Sequence, residues 1–300
     1  MVRGLLFTLA LLMGVSLHAR AEDCRAQIAA KVCVIDPPNK TGAAEFSYTR
    51  LPCLPGSAKY APFFEGHYDR SIKIIQKMYC HVEKIMVSTY LPGSAVSLYN
   101  RLVGGAYIGV RKDLLDKPLT LDQWLSWRDE TSFGGSLDTK ANTLGLINYK
   151  SNKNTVEFGL DFLLNHEIGH LLDYANNVGQ EWGSLSWRDQ DHPLSKYDFD
   201  GRDGLCFYFC NGSKLPANQS AVILKGVMSS PFATPYAATG FRDDWADTFA
   251  FYAMNKTFGL TLQIETQGQV FDLTQHLYSP QLQEKRDFLE SFLRGDINYP

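Results

Sequence analysis

An α+β fold, with a small mixed sheet and a mainly helical C-terminal half, is predicted by three features of this sequence. Strand-like runs all precede residue 150, a long proline-free apolar segment at helical spacing spans 155–174, and helical spacing recurs at 243–252 and 280–294. A mature length of about 280 residues is enough for one large domain or two subdomains.

The elements follow in order. Residues 1–21 set Arg3 ahead of an apolar run from Leu5 to Leu17 and end in Ala19-Arg20-Ala21. That is the layout of a secretory signal peptide, too short in its apolar part to span a membrane. Residues 22–62, with Asp36-Pro37-Pro38-Asn39-Lys40 and Leu51-Pro52-Cys53-Leu54-Pro55-Gly56, read as an irregular, cysteine-stapled N-terminal extension. The remainder, 63–300, forms the main domain, with an upper part to about residue 175 and a lower helical part over 176–300. A helix is predicted from Tyr68 to Tyr79 by Ile72, Ile75 and Met78, and strands over Lys84–Ser88 and Ala106–Arg111. Residues 119–128 form a short helix capped by Thr120, and Asn142–Tyr149 a further strand. The segment 280–294 has Leu282, Phe288, Leu289, Phe292 and Leu293 at the spacing of a packing helix.

The helix over Thr155–Tyr174 carries the chemistry. Val156, Phe158, Leu160, Leu163, Leu164, Ile168, Leu171 and Leu172 give it a broad apolar face, with Asn154 as N-cap and Asn176, Asn177 and Gly179 as stop signals. Inside it lies His166-Glu167-Ile168-Gly169-His170. Histidines four apart leave one face of a helix and can grip a single metal ion, and Glu167 beside them can act as general base toward water. This is the HExxH arrangement of zinc metallopeptidases. Burying three polar groups along an apolar helix is costly without partners, and Zn²⁺ supplies them.

A catalytic zinc usually takes a third protein ligand. Residues 243–252, DDWADTFAFY, place Trp245, Phe249 and Tyr252 on one helical face and Asp243 and Asp247 on another. Asp243 is the expected third ligand, and Asp247 the carboxylate that fixes the tautomer of a ligand histidine. Asp244 is the alternative ligand, because sequence does not fix helix phase to one residue.

The two blocks HEIGHLLDYA and YAATGFRDDWADTFAFY resemble the gluzincin metallopeptidases, most of all the catalytic domain of anthrax lethal factor and its bacterial relatives. That family pairs HExxH with an acidic helix of the form E-x-x-A-E/D and sets a tyrosine seven residues before its first acid. Tyr236 stands in that place, and the resemblance implies that its hydroxyl donates to the oxyanion of the tetrahedral intermediate. The chain departs from the pattern at 243, where Asp replaces Glu. The implied fold is zincin-like, with the active-site helix above a small mixed sheet and a mainly helical C-terminal subdomain. Its edge strand pairs with extended substrate backbone, and Ala141–Tyr149 or Gly104–Val110 is expected to fill that place.

The six cysteines, Cys24, Cys33, Cys53, Cys80, Cys206 and Cys210, all follow the expected cleavage point, which predicts disulfides. Pairings Cys24–Cys33, Cys53–Cys80 and Cys206–Cys210 each close a short loop. Loss of Arg3 and Arg20 takes the net charge from −3 to −5, and no basic stripe appears, so nucleic acid and anionic membranes are not expected partners. The expected protein is an exported, periplasmic or extracellular bacterial zinc metallopeptidase acting on peptides or proteins. The alternatives are a zinc amidase for cell-wall peptides and a non-catalytic binding protein on the same scaffold.

Overall fold

The computed structural model describes residues 24–36, 45–91, 93–100, 105–139, 143–208 and 214–295, so the expected signal peptide and Cys210 lie outside the described residues. Helix α1 (Cys24–Lys31) leads into β1 (Val32–Val34), followed by α2 (Ala61–Arg70), α3 (Lys73–His81), β2 (Val82–Ser88), β3 (Ala95–Asn100) and β4 (Gly105–Arg111). These four strands form a mixed sheet in the order β1-β2-β4-β3, parallel except for the antiparallel β3–β4 pair. The expectation of an irregular 22–62 extension is therefore corrected in part: α1 and β1 belong to the domain, with Val32 opposite Ile85.

Alternation along β2 explains why the sheet is covered on both faces. Ile85 and Val87 enter the main core, whereas Met86 joins Cys33, Ile35, Tyr48, Leu91 and Leu98 in a smaller cluster on the other face. The single helix expected over 68–79 is two helices. Ser71 and Ile72 are extended between them, and the Ser71 hydroxyl donates to the His67 carbonyl at 2.7 Å, taking up an acceptor at the end of α2.

Downstream come α4 (Leu121–Glu130), β5 (Asn148–Ser151), α5 (Val156–Asn176), α6 (Val178–Ser184), α7 (Ser220–Ser229) and α8 (Phe241–Phe258). They are followed by β6 (Leu262–Thr266), β7 (Gln269–Asp272), α9 (Leu273–Leu277) and α10 (Gln283–Arg294). Thr120 is the N-cap of α4, where its backbone N–H donates to the Gln123 side-chain carbonyl at 3.1 Å. Thr155, not Asn154, caps α5, because its hydroxyl accepts from Phe158 N while the Asn154 side chain accepts from Asp122 N across the junction with α4. Asn177 ends α5 in the left-handed conformation, at φ 56°.

Strand β5 pairs with β6 and β6 with β7 in a second, antiparallel sheet, so segments on both sides of residue 175 share one sheet. Neither segment expected as the edge strand above the metal takes that position. Strand β4 is internal, and of the described part of the 141–149 segment, residues 143–149, only Asn148 and Tyr149 enter a strand, in the other sheet. The outermost strand packed on α5 is β3, Ala-Val-Ser-Leu-Tyr-Asn, which the sequence reading did not assign as a strand.

Two disulfides join Cys24 to Cys80 and Cys33 to Cys53, which corrects the expected local pairs Cys24–Cys33 and Cys53–Cys80. The eight-residue α1 intervenes between Cys24 and Cys33, and its rise of about 12 Å keeps them beyond disulfide reach. Cys206 is disulfide-bonded; its expected partner, Cys210, is outside the described residues. Among the described residues no helix is long and apolar enough to cross a membrane. Non-reducing proteolysis should release peptides linked Cys24–Cys80 and Cys33–Cys53, and replacing Cys24 and Cys80 together by Ser should lower stability by about 2–4 kcal/mol in denaturant titrations.

Candidate metal centre

The centre forms where α5 and α8 cross. A Cβ on Gly169 would lie 3.0 Å from the Ala246 Cα and 3.3 Å from the Phe249 ring, so the axes approach this closely only because residue 169 is glycine. Trp245 Nε1 donates to the Gly169 carbonyl at 2.8 Å and locks the crossing. Asp243, on the first turn of α8, is thereby carried under the two histidines of α5.

His166 Nε2 and His170 Nε2 are 3.1 Å apart, and Asp243 Oδ1 lies 3.9 Å from the first and 3.4 Å from the second. In a tetrahedral zinc site with bonds near 2.0–2.1 Å, neighbouring ligand atoms are about 3.3 Å apart. The donor set and spacing fit such an ion, and the three residues form the one His, Cys, Asp or Glu cluster of this reach among the described residues. His170 Nδ1 is buried without a hydrogen-bond partner.

Asp247, one turn beyond Asp243, is completely buried. Its Oδ1 lies 3.1 Å from His166 Nδ1, and a carboxylate can only accept, so Nδ1 carries the proton and Nε2 keeps its lone pair for a metal. Arg128 Nη1 also donates to Asp247 Oδ1, at 2.8 Å, and the Thr234 hydroxyl donates to Oδ2. Burial alone would raise the Asp247 pKa, but the Arg128 charge and the His166 hydrogen bond hold it well below the ordinary carboxylate range.

Asp244 turns the other way. It pairs with Lys285 of α10 and accepts from Trp187 Nε1 at 2.8 Å, all within a buried aromatic setting. Its carboxylate is committed to that pair, so Asp244 does not join the histidines.

Glu167 lines the same cavity as the histidines, a recess of about 190 Å³. The Ser97 hydroxyl of β3 lies 2.5 Å from Glu167 Oε2 and 2.7 Å from the Glu167 carbonyl, linking Glu167 to the edge strand. Tyr236 comes from a single 3₁₀ turn, Tyr236–Ala238, and its ring meets His166 edge-on at 5.4 Å and Phe207 at 4.6 Å. Burial, reinforced by the Asp243 charge, pushes its phenol well above the ordinary range, so it remains a donor.

Sequence reasoning missed Ser97, Arg128 and Thr234. The alternation of β3 marks Ala95, Ser97 and Tyr99 as one face, but no motif identifies Arg128 or Thr234.

Removal of the two adjacent aspartates should separate ligand from framework. Asp243→Ala should abolish tight zinc binding while changing metal-free stability by less than about 1 kcal/mol. Asp244→Ala, which strands a buried Lys285, should cost about 3–5 kcal/mol in denaturant unfolding. Zinc retained at wild-type affinity by Asp243→Ala would remove it from the ligand set. No protein-family model, curated protein or solved structure matches the chain, so the functional reading stands on these residues and their geometry.

Proposed function

We propose that this protein is an exported bacterial zinc metallopeptidase of gluzincin type on a zincin-like scaffold, with His166, His170 and Asp243 as the ligands of one zinc ion. The observation that carries the reading is the convergence of those three donors beside a cavity lined by both histidines and by Glu167. Bound zinc would supply Lewis acidity, bringing a water pKa toward 7 and polarising the scissile carbonyl.

The chain's own groups account for the rest. Glu167 accepts the proton of the attacking water and passes it to the departing amine. Ser97 holds that carboxylate at 2.5 Å and limits its rotation. Tyr236 donates to the oxyanion, and Asp247 keeps His166 in the tautomer that ligation needs. Among the described residues strand β3 has only β4 beside it in the sheet, and its first residues, Ala95 to Ser97, line the cavity together with Gly93 and Ser94 just before it. An extended peptide can pair along that edge, which favours a peptide substrate over a compact small molecule. Export is supported by the N-terminal sequence and by disulfides, which persist in oxidising compartments.

Glu167→Gln should keep one zinc per chain by elemental analysis while slowing peptide cleavage by about 10²–10⁴-fold. Chelation should abolish the wild-type activity, and added zinc restore it. Undiminished cleavage by Glu167→Gln would refute this mechanism. Zinc without peptide turnover in the wild type would favour the scaffold alternative, and turnover confined to cell-wall peptides the amidase alternative.

A further inference from the structure

We propose that Arg128 is a positioning residue that aligns Tyr236 with the ligand histidine His166. The inference rests on the metallopeptidase reading and adds to it a residue outside the motif blocks. Arg128, near the end of α4, is 2 % exposed yet lines the cavity. Its Nη1 donates at 2.8 Å to Asp247 Oδ1, the atom that also accepts from His166 Nδ1. Its Nε donates at 2.8 Å to Asp129 Oδ1, and Asp129 is held in turn by the Tyr149 hydroxyl at 2.6 Å. Two carboxylates on different atoms of the fork fix the guanidinium plane.

That plane carries aromatic rings. Arg128 Cζ stands 4.5 Å from the centre of the Tyr236 ring and 5.2 Å from that of Trp124. Tyr236 belongs to one 3₁₀ turn rather than to a long helix, so its backbone gives the ring little support. The guanidinium supplies it, since a planar cation both attracts and orients an aromatic face. A lysine would keep the charge and lose the plane. Arg128 Nη2 is buried without a partner, a costly arrangement that stability alone does not favour. Arg128 thus joins Asp247, His166 and Tyr236 in one rigid unit, and displacement of a donor by about 1 Å can cost on the order of 100-fold in rate.

A double-mutant cycle on the zinc-loaded protein tests this, with kcat and KM for a peptide substrate measured in wild type, Arg128→Lys, Tyr236→Phe and the double variant. Arg128→Lys should lower kcat about 10-fold or more with KM within about twofold, and most of that loss should vanish in the Tyr236→Phe background. An equal loss in both backgrounds, or no loss in either, would overturn the proposal. Thermal unfolding establishes that each variant is folded. If Arg128→Lys is not, Trp124→Leu, which strips a ring from the guanidinium and leaves its ion pairs, carries the same cycle with the same outcomes. A wild-type chain that neither binds zinc nor cleaves peptides would instead defeat the metallopeptidase reading, and this one with it.

Discussion

The close crossing of α5 and α8 is the contact on which the rest depends. At Gly169 the helices approach to a distance that a single methyl group would obstruct, and the Trp245 indole spans the gap to the Gly169 carbonyl. Because a helix rises 1.5 Å per residue, fixing Ala246 against Gly169 fixes Asp243 and Asp247 as well. One packing contact thereby sets both the carboxylate beneath the histidines and the one behind His166. The apolar face recognised on α5 is the means by which the polar face is held in place.

Three acids within one turn and a half of α8 have three different tasks. Asp243 remains about one third exposed and faces the histidines, Asp244 is buried against Lys285, and Asp247 is buried between His166 and Arg128. A rotation of about 100° per residue sends neighbours to different faces, so identical side chains meet different surroundings. The buried pair of Asp244 and Lys285 ties α8 to α10 at a large desolvation cost, evident in an Asp244 pKa pushed up and a Lys285 pKa pushed down by burial. Asp247 goes the opposite way from Asp244 because a guanidinium and an imidazole both donate to it.

How much of this was legible in the sequence follows from the range of each interaction. HExxH on an apolar helix is a local pattern, and local signals placed that helix, a stop among Asn176, Asn177 and Gly179 that falls at Asn177, and Thr120 as the N-cap of α4. Asp243 and Asp247 were reached from helical spacing and Tyr236 through a family likeness, whereas Arg128 is 119 residues from Asp247 and its role depends on tertiary packing. The disulfides were misassigned for a related reason. Short loop length governs pairing only where the intervening chain is flexible, and α1 holds Cys24 and Cys33 apart. Strand β3 was overlooked because its apolar residues, Ala95, Val96, Leu98 and Tyr99, do not alternate with polar ones in the two-residue period that marks a strand.

The aspartate at 243 lies on the helix whose close crossing organises the centre. The resemblance implies a glutamate there, and a side chain shorter by one methylene reaches less far from its backbone. Here Asp243 Oδ1 nonetheless comes within 3.4 Å of His170 Nε2. Glycine at 169 leaves no side chain to press on Ala246, so the backbone that carries Asp243 packs close to α5. On the proposed reading, helix spacing and the length of the acid at 243 are coupled. A larger residue at 169 would call for a longer acid at 243, and an aspartate there is consistent with the tight glycine contact three quarters of a turn along the same helix.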